Sequence, residues 1–490
     1  MTQTFDTPPR VAIVGAGPAG LVAARWLRAQ GFEITLYDAA EDIGGQWNPA
    51  GVHSATWPGM VTNTSRVMTA FSDLDHRPGT ATYVRREDMH AYLDRYCTRF
   101  QLRQHMRLGT RVEHLARADR GGWELSLRHD GQSRIEHHDR VVIASGRHQL
   151  GSIPRVAGLG TFAGKFGVAH TSQFSGAALY RDASVLIAGC SISALEIATL
   201  LAQTGVQVTI CYRRQRYVLP KLIAGVPTEH ALFTRAAALA AAKSPAAAAS
   251  ALRAQVIQAA GRPEQYGALP ADPDIFAAGL TQCQGFLPAV AEGRIAVRPW
   301  IAQAQGRAVT FADGSTGEFD GILFGTGYEL SLPWLAPEIA ETVELTAQGM
   351  TLFADSFHPD LDGLAFLGLY DLVGPYLPVL ELQARYIAGC WKHGGAQPTR
   401  AEMQAGIAAA RRMSGPLTRP MHVMALEFAR RAGVEPDPAR HPDLAHALLS
   451  GPLSPASFRL EGPDSLPDAR ERVLAAASAF GAVCDPEAPA

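Results

Sequence analysis

The chain has 490 residues, 47% apolar and 18% charged, with a formal net charge of −2 and a pI near 6.8. That balance suits a globular enzyme of about three compact units and excludes a disordered chain. It also offers no global electrostatic case for nucleic acid or an anionic membrane.

The length is ample for large cores without a disulfide or structural metal. Six cysteines (Cys97, Cys190, Cys211, Cys283, Cys390, Cys484) are scattered without C-x-x-C spacing, and no His cluster offers zinc ligands, so buried free thiols and no metal are expected. Residues 1–10 lack the apolar core of a secretory signal, and no run reaches ~18 apolar residues, so the expectation is a soluble, cytoplasmic protein.

The first predicted strand is the apolar run Val11, Ala12, Ile13, Val14, fit for a parallel strand buried on both faces. It leads into Gly15, Ala16, Gly17, Pro18, Ala19, Gly20, then a helical run from Leu21 to Gln30, then a strand from Ile34 to Tyr37 that ends in Asp38. Strand, G-x-G-x-x-G, helix, strand and acid follow in the order of a dinucleotide-binding module. Gly15 permits the tight turn, Gly17 lets backbone approach a pyrophosphate, and Gly20 lets helix pack on strand. The helix N-terminus supplies N–H donors to the phosphates. Asp38, about twenty positions on, can accept from ribose hydroxyls. Gly44, Gly45, Gln46 and Trp47 follow as a loop predicted to lie against a flat cofactor, with Gly45 allowing the approach.

A second module starts at Val185, Leu186, Ile187, Ala188 and runs through Gly189, Cys190, Ser191, Ile192, Ser193, Ala194 into a helix from Leu195 to Thr204. Its next strand, Val206 to Cys211, ends at Tyr212, Arg213, Arg214. The acid of the first module has become an arginine pair. A carboxylate suits a free 2′-hydroxyl and repels a 2′-phosphate, whereas arginine grips the phosphate in a fork. The first module is therefore expected to bind FAD or NAD and the second NADP. Ser191 replaces the middle glycine, so its Cβ has to fit beside the pyrophosphate. Two dinucleotide modules in one chain point to a flavoprotein reduced by a nicotinamide.

Two further apolar strands end in small-Ser/Thr-Gly turns: Val141 to Gly146, and Ile322 to Tyr328 through Gly325, Thr326 and Gly327. They read as the crossings out of the FAD domain and back. The expected fold is α/β, with two Rossmann-like domains and a helical C-terminal region. The FAD domain covers 1–155 and 325–395. The NADP domain, 156–324, is inserted in it and carries an Ala-rich helical insertion at about 222–290. Residues 396–490 follow as helices, with a frayed tail from Asp485.

These ordered motifs resemble the flavin-containing monooxygenases, a family of class B flavoprotein monooxygenases. Thr62-Asn63-Thr64-Ser65-Arg66-Val67-Met68 resembles the family's T-N-x-S-K-x-M, with Arg66 for the Lys. Tyr212-Arg213, Tyr266-Gly267-Ala268-Leu269-Pro270, Gly325 to Tyr328 and Glu381-Leu382-Gln383-Ala384-Arg385-Tyr386 resemble further family segments. The family's F-x-G-x-x-x-H element departs from pattern: after Phe162 and Gly164, His170 stands two residues late, and the aromatic beyond it is Phe174, as in N- and S-oxygenating members.

The resemblance implies FAD and NADPH as cofactors. It implies transfer of one oxygen atom of dioxygen to an amine nitrogen or thioether sulfur through a C4a-hydroperoxyflavin. Asn63 is the residue implied beside the reacting oxygen. The expected cofactor-binding set is Gly15, Gly17, Pro18, Ala19, Gly20, Asp38, Gly45, Gln46, Trp47, Asn63, Thr64, Val112, Ser145, Gly189, Ser191, Ser193, Ala194, Arg213, Arg214, Gly327 and Gln383. Arg385 reads as an ion-pair partner on a helix that starts near Pro378, and His170 as a packed, hydrogen-bonded histidine. Such chemistry needs little acid–base machinery, and no Ser-His-Asp, paired-carboxylate or metal set stands out.

The runner-up is Baeyer–Villiger oxygenation of a ketone, which in typical enzymes uses an Arg beside the flavin that this reading does not identify. From other classes come a non-oxygenating flavin reductase and a flavin-binding regulatory protein. The expected partners are a small-molecule substrate and dioxygen, with no nucleic acid and no membrane; a homodimer is the family-level expectation.

Overall fold

The computed structural model describes residues 8–51, 54–392, 395, 397–412 and 419–481. Cys484 and the expected frayed tail lie outside them. The chain divides into two compact units. The first gathers the described residues of Met1–Ser54, Thr64–Leu150 and Glu329–Ala477; the second gathers those of Ala55–Asn63, Gly151–Tyr328 and Ser478–Ala490.

In chain order, the first unit supplies β1 (Arg10–Val14), α1 (Pro18–Ala29) and β2 (Glu33–Tyr37). Strand β3 (Val61–Ser65) is where the chain passes between units. The first unit then adds β4 (Met106–Arg107), the meander β5 (Arg111–Arg117), β6 (Trp123–His129) and β7 (Gln132–His138), and β8 (Arg140–Ile143). The second unit supplies β9 (Gly167–His170), β10 (Ser184–Ala188), α2 (Ile192–Gln203), β11 (Gln207–Tyr212), α3 (Arg235–Lys243), α4 (Pro245–Ala260), β12 (Ile295–Pro299) and β13 (Gly321–Phe324). Back in the first unit come β14 (Leu364–Phe366) and α5 (Tyr376–Trp391).

Each unit is organised on a five-stranded parallel sheet, ordered β14-β8-β1-β2-β4 in the first and β9-β13-β10-β11-β12 in the second. The central strands are the apolar runs read from the sequence: Val11, Ala12, Ile13, Val185, Leu186 and Ile187 are fully buried. Helices cover such a sheet on both faces, so these strands carry no polar alternation. The Ala-rich stretch folds as α3 and α4. Ser244 ends the first, and its Oγ accepts from Ala247 N at 3.4 Å to cap the second, whose first residue is Pro245. No helix among the described residues is long and apolar enough to cross a membrane, and none of their His, Cys, Asp and Glu side chains group as metal ligands.

Strand β7 returns to β2 through a buried polar contact. Tyr37 Oη donates to Glu136 Oε2 at 2.5 Å and lies 3.0 Å from His138 Nε2. Burial, with Arg10 nearby, pushes the His138 pKa down to about 4. The unfolded chain takes up that proton near pH 6.5 and the folded one only near 4. The unfolded state therefore binds more protons in this window, and stability is lost as pH falls through it, by up to about 3 kcal/mol. Urea midpoints at pH 7 and pH 5 should differ, and His138→Gln should shrink the difference. An unchanged slope in that variant would remove His138 as its source.

Candidate active site

In the first unit the fingerprint forms a tight turn between β1 and α1. Gly15 sits at φ +112°, where a Cβ would fall 2.4 Å from Ala144 O at the end of β8. A Cβ on Gly20 would fall 1.8 Å from Gly15 O. Gly17 is different: φ is −75°, and a Cβ there would meet nothing closer than Gly45 Cα at 3.6 Å. These three positions therefore serve the turn, the helix packing and an open space in front of the backbone. Gly17 is also the N-cap of α1, with no side-chain cap, and Pro18 follows at the first helical position. Ala19 and Gly20 are buried in the first turn. First-turn N–H groups of a helix have no intrahelical partner and collect an anion.

Asp38 faces the same turn. Its carboxylate accepts from Ala16 N at 2.6 Å and Ala40 N at 2.8 Å, which fixes an acid beside the turn. Gly45 lies close against the turn. Gly44 N donates to Ala16 O at 2.9 Å, and a Cβ on Gly45 would lie 3.0 Å from Gly17 Cα. Gln46 is exposed beside it and Trp47 is buried. Ser145, next to Gly15, has a buried Oγ with no hydrogen-bond partner among the described residues. An orphaned hydroxyl beside an open turn, a helix N-terminus and an acid fit FAD.

Other expected residues are spent within the protein. Gln383 is fully buried on α5. Its Nε2 donates to Asp355 O (3.0 Å), Ser356 Oγ (3.0 Å) and Phe366 O (3.1 Å), and its Oε1 accepts from Gly368 N at 3.0 Å. An amide so bonded holds the 355–368 segment together. The Thr64 hydroxyl lies 2.7 Å from Thr69 Oγ1. The Val112 side chain packs in the core beside Leu115 and Leu127, at a register shift of the β5–β6 ladder. Asn63 is half-buried on β3.

The sequence reading passed over Arg147. It follows Ser145 by two residues and is buried, with Nη2 3.1 Å from Asp371 Oδ2. Only the strand order, which sets β14 beside β8, brings these two residues together.

The E-L-Q-A-R segment of α5 also carries a buried ionic network. Glu381 accepts from Ser72 N at 2.7 Å and from Ser72 Oγ. Arg459 Nη1 lies 2.7 Å from Asp73 and 3.7 Å from Glu381, and Arg25 pairs with Asp73 at 2.8 Å. Arg385 pairs with Asp464 at 2.8 Å and donates to Phe458 O, the structural role expected for it. The guanidinium groups of Arg25, Arg385 and Arg459 all lie over the ring of Trp26 on α1, at 3.8, 4.8 and 5.2 Å. Burial raises the Glu381 pKa, with the Asp73 charge adding to it. The Asp73 carboxyl is held low by Arg25 and Arg459 against its own burial.

The second unit repeats the turn between β10 and α2. Gly189 sits at φ +131°, and a Cβ there would fall 2.3 Å from Gly325 O. Ser191 is the N-cap of α2. Its Oγ donates to Gly325 O at 2.8 Å and lies 3.4 Å from Ala194 N. The side chain that was expected to crowd the pyrophosphate is thus turned into the protein as a cap. Ser193 follows, half-buried, in the first turn. Ala194 occupies the position that Gly20 has in the first unit. The position facing it is Gly325, where the first unit has Ala144: Gly325 N and Ala144 N make the same bond, to Ala188 O and Val14 O. A Cβ on Gly325 would lie 2.6 Å from Ala194 Cβ. Gly327 is at φ +89°, with open space before it, and its carbonyl accepts from Ser152 N.

Arg213 and Arg214 are exposed at the end of β11. Arg214 Nη1 donates to Ala277 O at 3.2 Å. Arg213 lies over the Trp300 ring at 4.7 Å and has no ion-pair partner among the described residues. A free guanidinium at this strand end, where the first unit has Asp38, fits a 2′-phosphate.

His170 ends β9. Its Nδ1 accepts from Ser172 N at 3.1 Å and its ring meets Tyr328 edge-on at 4.9 Å. A Cβ on Gly151 would fall 2.4 Å from Nδ1. Burial lowers its pKa, and it acts as a cap in a packed site. Phe174 lies in the core, edge-on to Trp57 at 6.0 Å and stacked on Tyr180.

Residues 8–480 match the family described as flavin-binding monooxygenase-like. The chain is 26% identical to dimethylaniline monooxygenase (N-oxide-forming) 2 of Rattus norvegicus, over 95% of this chain and 91% of that one. Among solved structures it is similar to the S-allyl-L-cysteine S-oxygenase of Allium sativum, with a TM-score of 0.66, 20% identity, and coverage of 97% and 99%. It is also similar to the NADP⁺-bound cyclohexanone monooxygenase of Rhodococcus sp. Phi1, with a TM-score of 0.64, 18% identity, and coverage of 87% and 98%.

Proposed function

This chain belongs to the flavin-binding monooxygenase-like family and is a flavin monooxygenase that uses FAD and NADPH; from that premise we propose that it oxygenates soft nucleophiles, an amine nitrogen or a thioether sulfur. The observation that carries this reading is the match, along nearly the whole of both chains, to an N-oxide-forming enzyme. FAD, when bound, supplies the redox chemistry that activates dioxygen.

The residues of the chain have narrower tasks. The α1 N-terminus and the Gly17 backbone would hold the pyrophosphate, Asp38 the ribose and Ser145 a polar edge of the cofactor. In the second unit the Ser191-capped N-terminus of α2 would hold the second pyrophosphate, and Arg213 the 2′-phosphate. Asn63 offers an amide that donates and accepts without adding charge where oxygen is transferred. A soft nucleophile attacks unaided, so no general base is required of the protein.

Ketone oxygenation keeps one specific observation in its favour, the buried guanidinium of Arg147 two residues beyond Ser145. Its pairing with Asp371 at 3.1 Å offsets that charge, which favours the first reading. The test is oxygen uptake by FAD-loaded enzyme with NADPH, with products identified by mass spectrometry in ¹⁸O₂. Tertiary amines or thioethers should give products carrying one ¹⁸O. Labelled esters from a ketone panel, with no N- or S-oxide, would reverse the order of the two readings.

A further inference from the structure

Arg213 does not stand alone at the end of β11. Strands β11 and β12 are parallel neighbours, with Cys211 opposite Arg298 and Tyr212 opposite Pro299, so the next step sets Arg213 against Trp300. The guanidinium lies over the indole ring at 4.7 Å. The indole itself is held. It packs edge-to-face with the fully buried ring of Phe324, centroids 6.4 Å apart, and the Trp300 backbone carbonyl accepts from Ala312 N at 2.8 Å, which pins the main chain beneath it. Arg214, next in the chain, is drawn off to Ala277 O.

We propose that Trp300 is a positioning residue for dinucleotide specificity: it fixes Arg213 at the strand end where a 2′-phosphate is recognised. The inference rests on the reading of the second unit as the NADP site. An exposed arginine loses much rotamer freedom on gripping a phosphate, and stacking it beforehand lowers that loss. A guanidinium held over a ring face can still turn its N–H edges to a phosphate. Trp300 thus acts through Arg213, and its contribution appears only with ligands that carry the 2′-phosphate.

Calorimetry on the FAD-loaded protein with 2′,5′-ADP and 5′-AMP tests this apart from turnover. The parent should bind 2′,5′-ADP more tightly, and Arg213→Ala should erase the difference. Trp300→Ala should weaken 2′,5′-ADP about 3- to 10-fold and leave 5′-AMP unchanged. Trp300→Phe, which keeps an aromatic face, should retain most of the preference at an unchanged melting temperature. In turnover, Trp300→Ala should raise KM for NADPH with kcat held and KM for NADH unmoved. Equal weakening of both probes would make Trp300 an adenine contact or a fold residue, and no weakening would make the stacking irrelevant; either overturns the inference alone. A parent that does not prefer 2′,5′-ADP would overturn the NADP reading with it.

Discussion

Gly17→Ala is expected to yield a folded protein that has lost its flavin. The added methyl meets protein no closer than 3.6 Å, and φ at Gly17 is −75°, ordinary for alanine. Nothing in the polypeptide resists the change. What the methyl does occupy is the space before the α1 N-terminus, where backbone N–H groups approach the pyrophosphate. Losing one or two charge-assisted hydrogen bonds there costs about 3 kcal/mol, or about 100-fold in affinity. The ratio of flavin to protein absorbance should collapse, while circular dichroism and the melting temperature of apoprotein stay near the parent's. Gly20→Ala is the contrast. Its methyl would sit 1.8 Å from Gly15 O, so the β1–α1 packing itself has to open and the fold should suffer. Full flavin occupancy in Gly17→Ala would place the cofactor elsewhere.

Arg459→Met should be among the most destabilising single changes in the chain. The side chain is 3% exposed and stands between Asp73 and Glu381. Methionine fills similar volume but leaves two buried carboxylates, Asp73 paired with Arg25 and Glu381 bonded by Ser72 among the described residues. Breaking a buried pair on one side costs about 3–5 kcal/mol, since the surviving charge stays desolvated. Arg411→Ala, which breaks an exposed pair with Glu344, is the matched control and should cost at most about 1 kcal/mol. Equal, small shifts of the urea midpoint for both would mean that water reaches the network.

Arg459 shows where sequence reading stops. The last fifth of the chain carries no motif, yet from it Arg459 delivers a guanidinium to Asp73, 386 positions earlier. The two sheets and their nucleotide turns were legible because their determinants are local: an apolar run, a glycine at a fixed offset, a charge at the end of the next strand. The tethering role of Gln383 was hidden because its four partners lie on a segment that only folding brings to α5. The capping role of Ser191 was hidden because its acceptor, Gly325 O, lies just beyond β13. Arg147 and Trp300 were invisible because each depends on which strand lies beside which.

The second nucleotide turn carries its compensation outside its own six residues. Its helix position is Ala194 and the residue facing that methyl is Gly325, where a Cβ would lie 2.6 Å from Ala194 Cβ; the first unit has Gly20 and Ala144 at the corresponding places. A pattern that counts glycines along contiguous sequence scores the second turn as degenerate. Scored across the strand order, the room that Ala194 takes is made by the missing side chain of Gly325. A fingerprint transplanted from the second unit to the first as a six-residue cassette would therefore arrive without its complement.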